Sequence, residues 1–108
     1  MESWDIRSLD VEPHNPKVLR SDPEARVIAI NLPEGEALQD HRVHERAYLV
    51  VADGEVEVEQ DGRVERGGPG FVAHWDANQR HEVRATSGAR LLLILAPWPG
   101  EGHPSQRK

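Results

Sequence analysis

The feature that most limits the fold of this chain is a series of short β-forming runs separated by turn-forming residues. One of them, Glu55 to Gln60, places Val56 and Val58 on one face and glutamates on the other, which is the pattern of a strand with one buried face. No segment places apolar residues at helical spacing over the length of a helix. Many short strands at regular turn spacing predict an all-β sandwich or barrel. Further runs of this kind are Arg26 to Leu32, Ala47 to Ala52, Phe71 to Trp75, His81 to Ala85 and Arg90 to Leu95.

Turn signals and alternation together predict the limits of the strands and the side chains of the core. Asp53-Gly54 is a hairpin signal, and Thr86 to Gly88 is interpreted as a second turn. The alternation within the runs predicts the residues that face the interior. These are Val56, Val58, Leu49, Val51, Val83, Leu92 and Ile94.

A chain of 108 residues is predicted to form a single domain flanked by two less regular ends. Residues 1–24 are an N-terminal arm, residues 25–97 the barrel, and residues 98–108 a C-terminal tail. Trp4 and Ile6 are too apolar for a free tail, so the arm is expected to pack on the barrel or on a partner subunit. A homodimer is predicted for the same reason, and because a domain of this size buries only a modest core.

Charge and composition exclude several classes of function. A net charge of −6 argues against nucleic acid as a partner, because phosphate binding requires a basic face. The chain has no cysteine, which removes disulfides and thiolate metal sites. No glycine-rich phosphate loop is present, so neither a nucleotide nor a flavin is expected. The N-terminus has no signal-peptide pattern and no run is long enough to span a bilayer, which predicts a cytoplasmic protein without a membrane partner.

The residues most able to carry chemistry are histidines at the ends of two strand-and-turn segments. His41 and His44 lie just before the strong run at Ala47 to Ala52, and His81 follows the turn after Trp75. The two segments are expected to deliver their imidazoles to one pocket. His74 is expected on the outer face, where its role is structural.

The two histidine segments resemble the two sequence motifs of the cupins, a family of small jelly-roll β-barrels. In the first motif Gly35, His41 and Gly54 stand at the family's spacing, and in the second Gly70 and His81 do. The resemblance covers residues 27–97. It implies a single-domain antiparallel jelly-roll β-barrel whose interior binds a divalent transition metal, a small molecule, or both.

This chain departs from the family's pattern at most of the metal-ligand positions. The second histidine of the first motif is Val43, the motif glutamate falls on Ala47, and the asparagine that ends the second motif falls on Ala85. Two imidazoles alone make a poor site for a divalent metal, which usually has three or four protein ligands. His44 is the predicted third ligand beside His41 and His81, and Glu45 is a fourth ligand or an acceptor that orients an imidazole. Such a site suits zinc, nickel, iron, manganese or copper.

Several functions remain open at this point, and so does the question of whether the chain is an enzyme. The barrel would be a metal-dependent oxygenase or isomerase, a metal-free module that binds or senses a small molecule, or a dimer with no small-molecule role. Four arginines near the histidines favour an anionic ligand, or else they pair with the many glutamates of the surface. They are Arg42, Arg46, Arg80 and Arg84.

Overall fold

A computed structural model describes residues 1–41 and 44–96, and the side chains of all of these except residues 39–41. The regular structure of this part of the chain is entirely β, which confirms the predicted fold class. It contains no helix long and apolar enough to cross a membrane. The strands are β1 (Lys17–Asp22), β2 (Ala25–Leu32), β3 (Ala37–His41), β4 (Arg46–Gln60), β5 (Arg63–Gly67), β6 (Val72–Trp75) and β7 (His81–Ala96).

The two long strands β4 and β7 form the central ribbon of the fold. They pair antiparallel from Arg46 opposite Ala96 to Glu59 opposite Glu82. The register shifts repeatedly between Val51 and Val56, and at these shifts the ribbon bends, as β-bulges bend a strand.

The bend divides the strands into two layers. In the first layer β1 pairs with β2, β2 with the second half of β7, and β6 with the first half of β4. In the second layer β3 pairs with the first half of β7 and β5 with the second half of β4. Both layers therefore contain one half of the β4/β7 ribbon, and the core lies between them.

Apolar side chains from the two halves of the ribbon fill this core. Leu49 and Leu91 come from the first layer, Val56 and Val83 from the second, and each is at most 1% exposed. Full burial of one such side chain contributes about 1.5–3 kcal/mol. Leu49, Val56 and Val83 were predicted from alternation, and so were Val51 and Val58, which are also buried.

The prediction is wrong for Leu92 and Ile94, which are only half-buried. They lie opposite Val50 and Tyr48 on the outer face of the first layer. The interior positions are taken by Leu91 and Leu95, because β7 keeps its period of two without interruption from His81 onward. The five residues from Leu91 to Leu95 are all apolar, so no polar residue among them marks the outward-facing positions.

The two predicted turns at Asp53-Gly54 and at Thr86 to Gly88 are also wrong. Both segments are bends inside continuous strands, β4 and β7, that remain paired on either side. Gly54 has φ +79°, a left-handed conformation that glycine adopts without strain. The glycine that suggested a hairpin turn therefore forms part of a β-bulge inside the strand.

The N-terminal arm lies against the outer face of the first layer. Arg90 Nη1 donates a hydrogen bond to the carbonyl of Leu9 at 2.6 Å, and Asn31 Nδ2 donates one to the carbonyl of Val11 at 2.9 Å. Val11 is 5% exposed. The last part of the predicted arm forms β1, and the predicted tail at 98–108 lies outside the described residues.

Replacing Gly54 by alanine tests the bend of the ribbon. An added Cβ would collide with the carbonyl oxygen of Gly88 and lie 2.7 Å from Cα of Ala89, and the left-handed φ would be strained as well. We expect a loss of about 2–5 kcal/mol in the free energy of unfolding, measured by urea denaturation. Gly62→Ala is the matched control: its φ is +81°, but no atom lies within 4 Å of the added Cβ, so only the strain of about 1–2 kcal/mol remains. Equal losses in the two variants would contradict the proposed role of the close approach.

Candidate functional site

Two polar side chains, His81 and Glu45, are buried among the otherwise apolar interior of the described structure. Each is 5% exposed. Burying a polar or charged group is costly unless it has partners, and both residues do have polar or ring interactions. The region of the barrel that contains these two buried polar groups is therefore the candidate functional site.

Both residues lie at the end of the barrel opposite the bend. His81 begins β7, in the second layer, whereas Glu45 directly precedes β4, in the first layer. Trp75 ends β6 and pairs with Ala47 near the start of β4. The indole of Trp75 stacks face to face on the imidazole of His81, with ring centroids 3.8 Å apart and planes 7° from parallel. This contact joins the two layers and places the starts of β4 and β7 at one end.

A hydrogen bond also fixes which nitrogen of His81 carries the proton. Its Nδ1 lies 3.1 Å from the carbonyl oxygen of Gln79. A carbonyl can only accept, so a neutral ring donates from Nδ1 and keeps its lone pair on Nε2. Nε2 is then the nitrogen with the electron pair that a metal or a ligand proton requires.

His44 and Glu45, the two residues that directly precede β4, differ in burial. Buried and exposed residues alternate from His44 onward, with Glu45, Ala47 and Leu49 buried and His44 and Arg46 exposed. Glu45 therefore lies on the same side of the chain as the core residues. It stands two residues before Ala47, the position at which the family motif has its glutamate. His44, the predicted third ligand, lies on the solvent-exposed side.

The backbone of His41 is directly opposite His81 in the pairing of β3 with β7. Its side chain is outside the described residues, so its predicted role as a ligand stays a prediction. Among the side chains that the structure describes, no three histidines or carboxylates form a cluster that could hold a metal. Of the described buried residues, His81 carries an imidazole and Glu45 a carboxylate, and both are groups that bind transition metals in proteins.

Two cavities adjoin the stacked pair. One of about 280 Å³ lies along β5 and β6 and is lined in part by Trp75, Phe71, Arg63 and His74. The other, of about 160 Å³, is lined by His81, Arg80 and neighbouring residues of β4. Gln60 lines both. Their volumes lie at or below the lower end of the range for small-molecule sites.

The other residues singled out in the sequence are solvent-exposed where the structure describes them: these are His74, Arg46, Arg80 and Arg84, whereas Arg42 is not among the described residues. His74 is exposed at the outer face, as predicted, with its ring 4.8 Å from that of Tyr48 and Nε2 3.7 Å from Asp76 Oδ1. Arg84 binds the carboxylate of Glu82 at 3.4 Å and the carbonyl of Gly35 at 3.3 Å. Arg84 thus follows the alternative in which the arginines pair with surface acceptors.

Comparison with known protein families confirms the resemblance seen in the motifs. The family described as cupin domain matches residues 28–96, which span β2 to β7. The chain therefore belongs to the cupin domain family. A comparison with curated proteins found no match.

Solved structures show the same fold at low sequence identity. An uncharacterised conserved protein with a double-stranded β-helix domain from Klebsiella pneumoniae is 21% identical, with TM-score 0.78 over 93% of this chain and 94% of that one. An RmlC-like cupin from Desulfovibrio desulfuricans is 20% identical, with TM-score 0.76 over 90% and 97%. A cupin superfamily protein from Desulfitobacterium hafniense is 13% identical, with TM-score 0.76 over 84% and 85%. These likenesses establish the fold as the double-stranded β-helix of the cupins.

Replacing Trp75 by alanine tests the contact that joins the two layers. The indole is 3% exposed and stacks on His81, so its removal is expected to cost about 3–5 kcal/mol in the free energy of unfolding. Trp4→Ala is the control: this indole is 40% exposed, and about 0.5 kcal/mol or less is expected. Thermal and urea unfolding of the two variants measure the difference, and similar losses would argue against a structural role for the stack.

Proposed function

We propose that this cupin binds a small molecule at the end of the barrel closed by the Trp75–His81 stack, through a divalent transition metal. The observation that supports the proposal most is the burial of His81 and Glu45 in an otherwise apolar interior. Ligand sites combine apolar surroundings with a few polar groups, and His81 and Glu45 are polar groups buried among apolar core residues.

The proposed ligands of the metal are His41, His81 and Glu45. His41 enters because its backbone lies directly opposite that of His81 in the pairing of β3 with β7. Glu45 enters because it is buried, like Ala47 and Leu49 in the strand that follows it. His44 is retained as the competing third ligand of the sequence motif, although binding through it would require the exposed segment to turn over.

The residues of the chain would divide the work between them. His81 would bind through Nε2, because its Nδ1 is engaged by the carbonyl of Gln79. Glu45 would offset the charge of the cation. A bound divalent metal supplies polarisation of a carbonyl or activation of water, which are the steps open to a cupin enzyme. The cavity of about 280 Å³ beside Trp75 is the larger of the two that adjoin the stacked pair, and it would hold a small bound molecule.

Metal analysis of single variants tests the ligand set. His41→Ala and His81→Ala are expected to abolish stoichiometric metal, and Glu45→Gln to weaken zinc affinity at least about tenfold, because each removes a donor. His44→Ala is expected to change the affinity less than about threefold, and His74→Ala serves as the outer-face control. The readouts are elemental analysis of protein purified without a histidine tag and zinc titration by calorimetry. If His44→Ala lowers zinc affinity and Glu45→Gln does not, the third metal ligand is His44. Wild-type protein that takes up no metal would leave a metal-free binding module as the function.

We also propose that the protein is a homodimer formed by the outer face of the first layer. That face carries half-buried Val27, Tyr48, Val50, Leu92 and Ile94, and Val72 is 57% exposed. The pairing register places one row across it, with His74 at one edge and Arg20 at the other. A two-fold axis along the strands would bring the Arg20 edge of one copy against the His74 and Asp76 edge of the other, and oppositely charged groups would meet.

A charge placed on this face should separate the subunits. Val72→Asp is expected to convert a dimer into a monomer in light scattering at micromolar concentration, because it would bury an unpaired carboxylate in the interface. Val64→Asp is the matched control, since Val64 is 53% exposed on β5 in the other layer. A monomeric wild-type protein, or equal effects of the two variants, would contradict the proposed interface.

A further inference from the structure

The turn between β6 and β7 makes a set of contacts that the proposed ligand site does not by itself require. Gln79 Oε1 accepts a hydrogen bond from the backbone N–H of Asp76 at 2.8 Å, and Gln79 N–H donates to the carbonyl of Asp76 at 3.3 Å. Asn78, between them, has the left-handed φ of +69° that asparagine tolerates well. The side chain and backbone of Gln79 thus close the turn together.

This closed turn determines where the carbonyl of Gln79 points. The same residue whose amide caps Asp76 presents its own carbonyl oxygen to His81 Nδ1 at 3.1 Å. The imidazole therefore donates its hydrogen bond to a backbone carbonyl, and the side chain of Gln79 holds that carbonyl in place. Opening the turn would remove the constraint on which ring nitrogen is protonated.

Trp75 constrains the same ring in a different way. The second side-chain torsion of histidine has broad, roughly two-fold preferences, so a ring flip is opposed only by neighbouring groups. The near-parallel indole at 3.8 Å occupies one face of the His81 ring and fixes its plane. The tautomer is set by Gln79 and the plane by Trp75, and the two residues flank the turn that leads into His81.

We propose that Trp75 and Gln79 are positioning residues that hold His81 as the Nδ1-protonated tautomer, with the lone pair on Nε2 fixed in direction for a metal or ligand. The tautomer and the ring plane depend on this chain alone. Their use in binding rests on the proposed function. A metal or a proton donor would bind to a ring that is already oriented, so binding would cost less conformational entropy.

Imidazole nitrogen NMR of the metal-free protein measures the tautomer directly. Uniformly ¹⁵N-labelled protein at about pH 8, where an unperturbed imidazole is neutral, should show His81 with a protonated Nδ1 and an unprotonated Nε2. The His81 signals are assigned by their loss in His81→Gln. A protonated Nε2 in the wild-type protein, or an even mixture of the two forms, would overturn the proposal.

Two pairs of variants separate positioning from general loss of structure. Gln79→Ala is expected to give a mixture of tautomers because the turn no longer holds the carbonyl of Gln79, and Trp75→Leu because a ring without the indole against its face can rotate away from that carbonyl. Trp75→Phe keeps an aromatic face and Gln79→Glu keeps an acceptor for the Asp76 N–H, so both should retain the wild-type signals. Circular dichroism checks that each variant is folded. Because Gln79 is exposed, Gln79→Ala keeps the test decisive even if Trp75→Leu fails to fold. An unchanged tautomer in folded Gln79→Ala would overturn the role of Gln79.

Zinc titration of the same proteins tests whether the fixed ring serves binding. Gln79→Ala and Trp75→Leu are expected to lower zinc affinity about tenfold or more, the size of effect found when groups that orient a ligand are removed, whereas Trp75→Phe and Gln79→Glu should lie within about threefold of wild type. A wild-type protein with a fixed tautomer but no zinc binding would contradict the proposed metal site and leave the positioning of the ring intact. Normal zinc binding with mixed tautomers in the variants would contradict the role of positioning in binding.

Discussion

The antiparallel pairing of β4 with β7 supports the whole structure, because every other described strand except β1 pairs directly with one of these two. The ribbon can serve two layers only if it bends sharply without losing its partner. The bend depends on Gly54, whose Cα approaches the backbone of Gly88 and Ala89 so closely that no Cβ would fit. Once the ribbon is folded over, its two free ends lie on top of each other. The ring of Trp75 from one layer and that of His81 from the other can then stack, and the position of the candidate site is a consequence of the bend.

The sequence was sufficient to predict the fold class and most of the strands, because alternation in Glu55 to Gln60 and in His81 to Ala85 reports a buried face directly. It misled where one local signal serves two structures. Asp53-Gly54 supplies a left-handed residue for a hairpin turn and equally for a bulge inside a strand, and only long-range pairing decides between them. Treating Thr86 to Gly88 as a turn interrupted the two-residue alternation of buried and outward-facing side chains along β7. Alternation continued from His81 without interruption assigns Leu91 and Leu95 to the core in place of Leu92 and Ile94.

The sequence also singled out residues of the candidate site, whose role in binding stays a prediction. The motif spacing singled out His81, which is buried, and His41, whose backbone lies opposite His81. The choice of His44 assumed that alternation stops before β4, whereas Glu45 keeps the phase of Ala47 and Leu49. That phase was readable in the sequence from Ala47 backwards. The contributions of Trp75 and Gln79 were not, because a ring stack between layers and a backbone carbonyl directed at an imidazole leave no pattern of residue types.

The Trp75–His81 stack also means that fold stability and site geometry are not independent in this barrel. In a larger protein a ligating histidine is commonly oriented by a separate carboxylate or carbonyl, while other side chains close the core. Here the imidazole is itself part of the contact between the layers, and the core around it is small. A substitution that loosens the packing of Trp75 would free the ring of His81, and one that removes the imidazole would leave a gap against the indole. Changes in binding at this site must therefore be measured together with stability, and Glu45, which is not part of the stack, is the residue at which the two effects are most readily separated.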